Sequence, residues 1–214
     1  MIRRLAIAAA CGAVLGAAAD GASASGPEID NPYLPLAPGN RWVYRETAID
    51  GSVQRVVVKV THRTRLIANG VTARVVRDTV MAKGRLVEDT FDWYAQDGAG
   101  NVWYLGEDTR EYKGGKVVST AGSWEAGVNG ARAGLAMPAH PRPGRQYRQE
   151  YLAGEAEDKA RVVSRFEHGI LTREWTPLEP KLFEYKLYER GVGPVLALTV
   201  PAGDREELVS FHRG

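Results

Sequence analysis

Cysteine is nearly absent from this chain of 214 residues: there is one, Cys11. That excludes a disulfide scaffold and any metal site built on several thiolates. Histidine is scarce too, with four residues, His62, His140, His168 and His212, each isolated in sequence. Neither sign of charge dominates, at 28 Lys+Arg against 26 Asp+Glu, which argues against the basic surplus of a nucleic-acid binder. No stretch holds helical spacing over three turns. No G-x-S-x-G elbow, phosphate-cradling glycine loop or H-E-x-x-H pair occurs. An enzyme is therefore the last reading, since no nucleophile–base pair is legible.

What is present begins with an export signal. Arg3 and Arg4 precede the uncharged run Leu5 to Ala19, and Ala22-Ser23-Ala24 gives the small-x-small cleavage pattern. The run is shorter than the roughly 18 residues a spanning helix needs. Residues 1–24 read as a secretory signal, so the chain is expected to be exported to the periplasm or beyond, with no transmembrane segment after cleavage. Cys11 would then be removed; lipid anchoring at Cys11 is the lesser alternative. The remaining chain is nearly neutral and keeps all 5 Trp, 9 Tyr and 4 Phe, enough for one core without cross-links.

Residues 25–40 carry Pro27, Pro32, Pro35 and Pro38 and read as an extended lead-in. From Arg41 to Gly214 the chain reads as one all-β domain. Trp42 and Tyr44 alternate with Arg41, Val43 and Arg45, and Val56, Val58 and Val60 share one face. Asp50-Gly51, Asn69-Gly70 and Lys83-Gly84 are turn signals. Strands are expected over residues 85–97, 146–152, 159–166, 170–175, 182–189, 194–200 and 205–211, while Gly127 to Gly144 reads as a long loop. This cadence predicts a single antiparallel meander curled into a barrel or half-barrel, with little helix.

The clearest local feature is a hairpin around Asp97-Gly98-Ala99-Gly100-Asn101. Pairing Asp97 with Asn101 sets Tyr94 opposite Tyr104 and Ala95 opposite Trp103. Phe91, Trp93, Trp103 and Leu105 then share one face; Thr90, Asp92 and Tyr94 take the other. The simpler arrangement leaves that polar face in water and makes the Trp face the core. The alternative turns it into a barrel, where it would suit a small amphipathic ligand.

Charge is segregated along the sequence. Arg41, Arg45, Arg55, Lys59, Arg63, Arg65, Arg74 and Arg77 crowd the first strands. Glu88, Asp89, Asp92, Asp97, Glu107, Asp108 and Glu111 follow, opposed only by Arg110. Cross-strand pairing within one sheet explains the pattern, and a basic anion-binding face is the alternative. Asp92, Asp97, Glu107 and Asp108 are the candidate oxygen ligands for a cation such as Ca²⁺, although Ala99 and Asp108 stand where a calcium loop wants an acid and a Glu.

The segments Asp92-Trp93-Tyr94-Ala95-Gln96-Asp97, Gly100-Asn101-Val102-Trp103-Tyr104-Leu105-Gly106-Glu107-Asp108 and Gly122-Ser123-Trp124-Glu125-Ala126-Gly127 resemble a group of uncharacterised secreted bacterial proteins. The opening Pro38-Gly39-Asn40-Arg41-Trp42-Val43-Tyr44 and the late Gly191-Val192-Gly193 also resemble cell-envelope β-meanders of the lipoprotein-carrier type, which implies a sheet curled around an apolar pocket. Neither resemblance implies catalytic residues or a cofactor. The expected function is an exported, non-catalytic binding protein for a small or lipidic ligand. Trp42, Trp93, Tyr94, Trp103 and Tyr104 are candidates for its pocket, with His140 near the mouth. The alternatives are a structural or protein-interaction module of the envelope, or a cation-binding protein.

Overall fold

A computed structural model describes residues 28–214; the expected signal segment, residues 1–24 with Cys11, lies outside them. Fifteen strands follow one another: β1 (Arg41–Thr47), β2 (Val53–Leu66), β3 (Thr72–Ala82), β4 (Arg85–Gln96), β5 (Val102–Lys113), β6 (Lys116–Ser119), β7 (Trp124–Glu125), β8 (Arg132–Met137), β9 (Gln146–Arg148), β10 (Glu150–Tyr151), β11 (Lys159–Arg165), β12 (Gly169–Trp175), β13 (Phe183–Glu189), β14 (Gly193–Val200) and β15 (Arg205–His212). All pairings are antiparallel. The expected meander is observed, and its turns fall at the Asp50-Gly51, Asn69-Gly70 and Lys83-Gly84 signals. Among the described residues no helix is long and apolar enough to cross a membrane.

The strands form one sheet in the order β10-β8-β5-β4-β3-β2-β1-β15-β14-β13-β12-β11-β9, nearly closed into a barrel. Its two ends are consecutive in sequence. Tyr147 on β9 pairs with Ala160 on β11, and Glu150 on β10 pairs with Ala133 on β8. A single bent segment thus spans the seam. The expectation of a long loop over 127–144 is corrected here, because β8 lies inside it and pairs with both β5 and β10. Its sequence, Arg-Ala-Gly-Leu-Ala-Met, has no β-branched residue, so local preference is silent and only its neighbours make it a strand.

Register around the barrel assigns the inner face consistently. Trp42, Tyr44 and Glu46 of β1 face Val58, Val56 and Gln54 of β2 and Phe211, Leu208 and Glu206 of β15. Ile170, Thr172 and Glu174 of β12 face Tyr188, Lys186 and Glu184 of β13. Each inner row therefore runs from apolar at one end of the barrel to charged at the other.

The lead-in explains the apolar end. Ile29, Tyr33 and Leu36 are buried among Trp42, Val60, Val76, Val102, Met137 and Ile170, which come from strands all round the barrel. It is tied down by polar bonds that Pro cannot supply. Asn31 donates from Nδ2 to the carbonyls of Gly100 (2.9 Å) and Pro138 (3.2 Å), and Gln96 Oε1 accepts from the Asn31 amide. Burying each such apolar side chain is worth about 1.5–3 kcal/mol. The fold is thus a cup, with this segment as part of its base.

Gly106 marks where β5 stops pairing with β8 and takes up β7 instead. Its φ is 128°, and a Cβ there would run into the Trp124 carbonyl oxygen and stand 2.9 Å from Glu125 Cα. Both obstacles are backbone. Gly106→Ala is expected to destabilise the protein by ~3 kcal/mol or more. Urea denaturation checks this, and a loss below about 1 kcal/mol would show that β7 moves aside freely.

Candidate functional site

The β4–β5 hairpin pairs as expected, with Tyr94 opposite Tyr104 and Ala95 opposite Trp103. The expected orientation is corrected. Thr90, Asp92 and Tyr94 continue the inner row that passes through Val76 and Asp78 of β3, so the polar face lines the barrel. Trp93 points outward and is still buried, in a second cluster with Ile67, Val75 and Ala131. Arg65 lies 4.2 Å above its ring and is held by Glu125 at 2.6 Å. Alternation separates the two faces, but only closure of the sheet decides which one is concave.

One wall of the lumen is aromatic. Tyr94 and Tyr104 stack with centroids 4.9 Å apart, and Trp124 meets Tyr104 edge-on at 5.4 Å. Three carboxylates border this wall. Asp92 Oδ1 accepts from the Tyr104 hydroxyl at 2.8 Å, Glu107 stands opposite Asp92 across the hairpin, and Glu150 Oε2 accepts from Trp124 Nε1 at 3.2 Å. Burial, reinforced by Asp92 and Glu107, pushes both tyrosine hydroxyls well above their usual range. Burial and then the charge of Asp158 raise Glu150 to about 8. Burial likewise raises Asp158 to about 6.

The facing wall carries a hydrogen-bonded ion pair. Lys186 Nζ lies 2.9 Å from Glu174 Oε2 and 3.3 Å from Glu184 Oε2. Glu174 Oε1 accepts from Thr172 (2.9 Å) and Tyr188 (3.0 Å). Burial alone would raise the Glu174 pKa, but Lys186 and these donors hold it below the usual carboxylate range. Tyr147, inward on β9 and 9% exposed, has a hydroxyl with no hydrogen-bond partner among the described residues. Burial raises that hydroxyl, and Glu174 raises it further. An orphaned buried hydroxyl beside a charged pair calls for water or a ligand. Lys186 and Glu184 point inward, yet 31% and 27% of their side chains are accessible, so water reaches the lumen.

Of the candidate ligand residues, the structure brings together Tyr94 and Tyr104. Trp42 is 1% exposed, stacks on Phe211 at 4.9 Å and donates to the Val192 carbonyl at 2.7 Å. It belongs to the base of the cup. Trp103 has the parity of the hairpin's outer face, but it packs with Leu135 against Tyr147, Ala160 and Val162 near the seam between the two ends of the sheet, and it donates from Nε1 to Asp97 at 2.8 Å. His140 is exposed and borders a separate surface depression of about 270 Å³ with Asn31, Tyr33, Arg165 and Arg190. Of the candidate cation ligands, Asp92 and Glu107 are neighbours inside the barrel. Asp97 is instead consumed by its turn: it accepts from the Ala99 and Asn101 amides, Asn101 Nδ2 and Trp103 Nε1. These donors hold it at about 2 despite some desolvation. Asp108 points away from the lumen and pairs with Arg110 at 3.0 Å. Among the described residues no group of three or more Asp, Glu, His or Cys is arranged to hold a metal ion.

Sequence reasoning missed Trp124, Tyr147, Glu150, Glu174 and Lys186. For Glu174 and Lys186 the one signal was polar residues at alternate positions, Thr172 with Glu174 and Lys186 with Tyr188, which an outward face would show equally well.

No family model matches the chain, and no curated protein does. Among solved structures it is similar to a “putative lipoprotein” from Parabacteroides distasonis. The identity is 10%, the match covers 85% of this chain and 99% of that one, and the TM-score is 0.38.

Proposed function

We propose that the chain is an exported, non-catalytic binding protein whose barrel lumen takes a small cationic, amphipathic ligand, an organic amine. The observation that carries this reading is the stacked Tyr94–Tyr104 pair bordered by Asp92 and Glu107 inside a lumen that water reaches. Tyrosine faces attract cations, each contact contributing about 0.5–2 kcal/mol as it is desolvated. Carboxylates fix the position of the charge, and the apolar base receives the hydrocarbon part. Export is the role that the signal-like residues 1–24 give it.

Calorimetric titration with spermidine, choline, glycerol and acetate tests the reading. Saturable binding is expected for the two cations only. Asp92→Asn keeps an acceptor for the Tyr104 hydroxyl while removing a charge, and it should weaken binding about tenfold. Absence of heat with every cation, from protein that melts cooperatively, would defeat the proposal. Equal affinity of the Asn variant would move the site away from this wall.

A further inference from the structure

Strands β1 and β2 turn one face to the lumen, and their other face carries an arrangement that a sheet does not favour by itself. Arg41 stands directly opposite Lys59, and Arg45 directly opposite Arg55, with Val43 opposite Val57 between them. Lys59 in turn faces Arg77 on β3. Like charges directly opposite one another destabilise a β pair, and here two such pairs frame one apolar pair.

The acids on this face are engaged elsewhere. Asp89 is held by both Nε and Nη2 of Arg77, at 2.7 and 3.0 Å. Glu207, opposite Arg45 on β15, pairs with Arg205 at 3.1 Å. Asp50, at the β1–β2 turn, accepts from the Ser52 amide at 2.8 Å. Among the described residues no ion pair reaches Arg41, Arg45, Arg55 or Lys59.

A depression of about 460 Å³ opens on the same face, within the size range of ligand cavities. Val43, Val53, Met81 and Val209 supply its apolar surface; Arg45, Arg55 and Lys83 supply its cationic rim. Val53 and Val209 are 53% and 56% exposed, and Ile49, at the adjoining turn, is 76% exposed. Apolar surface inside a ring of cations matches a lipid with an acidic headgroup. The chain's own residues 1–27 fit this face poorly, because they bring Arg3 and Arg4 against the single acid Asp20.

We propose that the outer face of β1 and β2 docks on an anionic lipid surface, with a headgroup phosphate between Arg45 and Arg55 and the exposed valines against the acyl region. The phosphate neutralises the opposed cations, so binding relieves the repulsion built into the sheet. Each Arg or Lys near such a surface adds to the attraction, and salt weakens it. This surface lies on the other side of the sheet from the lumen, so the two proposals stand or fall separately.

The test is co-sedimentation of the protein recovered after export with phosphatidylglycerol vesicles and with phosphatidylcholine vesicles. Binding to the anionic vesicles alone is expected, and it should fade as salt is raised. Arg45→Glu/Arg55→Glu should lower partitioning by about tenfold or more, and Val209→Asp should lower it less. Both changes are at exposed positions. Arg55→Glu alone turns a repulsive pair into an attractive one and should not lower the melting temperature, which separates lost docking from lost folding. Equal binding to both vesicle types would overturn the proposal, as an apolar anchor binds either. Unchanged binding by the double variant would overturn it as well. Tight capture of free glycerol phosphate without vesicle binding would replace the lipid surface with a soluble anion.

Discussion

Lys186→Met is expected to lower stability by about 3–5 kcal/mol, the usual consequence of removing one partner from a buried ion pair. In a chain of this size that corresponds to a fall in melting temperature of roughly 6–20 °C. The ammonium is 2.9 Å from Glu174, whose side chain is 8% exposed. Without it the carboxylate keeps its bonds from Thr172 and Tyr188, but it loses its counter-charge in a place where burial already opposes ionisation. Water in the lumen screens part of the loss, so the lower end of the range is the better target. The sign of the pH dependence follows. In the variant the folded-state pKa of Glu174 rises above its unfolded value, so the damage is smallest at low pH and grows as pH passes through the raised value. Adding Glu174→Gln removes the stranded charge while keeping an oxygen for Thr172 and Tyr188, and it should recover most of the loss. Thermal and urea melts of the three proteins measure this. A single-variant loss below ~1 kcal/mol, or no recovery in the double variant, would show that the pair is solvated and structurally idle.

Wild-type protein should lose stability as pH climbs from about 5 to about 9.5. Glu150 is raised from its ordinary 4.5 to about 8, and Asp158 from 3.8 to about 6, both chiefly by burial. An acid whose pKa is higher folded than unfolded contributes stability that is complete below the unfolded value. That contribution is lost as pH rises through the folded one, because the chain must then ionise a group that folding prefers neutral. Each pH unit of displacement is worth about 1.4 kcal/mol; with two interacting acids and water nearby, a total loss of ~2–3 kcal/mol is expected. Glu150→Gln should flatten most of the slope, because its amide oxygen still accepts from Trp124 Nε1. Melting temperatures at pH 5 and 9.5 give the slope. Trp124 fluorescence offers a local reading, since Glu150 accepts its hydrogen bond and should quench it differently once ionised. A variant slope equal to that of the wild type would assign the effect to other groups.

Much of this fold is local, and those parts were legible. The Asp97–Asn101 turn follows from an Asx-capped loop with glycine at φ 86° at Gly100, and it fixes the Tyr94–Tyr104 register. Val56, Val58 and Val60 share a face because side chains alternate along a strand. The bidentate Arg77–Asp89 pair is one instance of the cross-strand attraction expected between the basic and acidic segments. The other basic residues of β1 and β2 do not follow it. Parity turns them outward, while Asp92 and Glu107 face inward, so opposite charges that adjoin in sequence end on opposite sides of one sheet.

The sequence by itself determined the all-β character, most strand positions, the tight turns and the partition of each strand into two faces, because these depend on neighbours one to five residues away. The tertiary structure alone decided which face became the lumen. It also made a strand of residues 132–137, set the lead-in as the base of the cup, and joined Lys186 to Glu174 across β12 and β13. These outcomes turn on closure of the sheet through the bent 146–151 segment, which brings together residues far apart in the chain. Curvature of a whole sheet is a sum over many strands, and no single run of residues carries its sign.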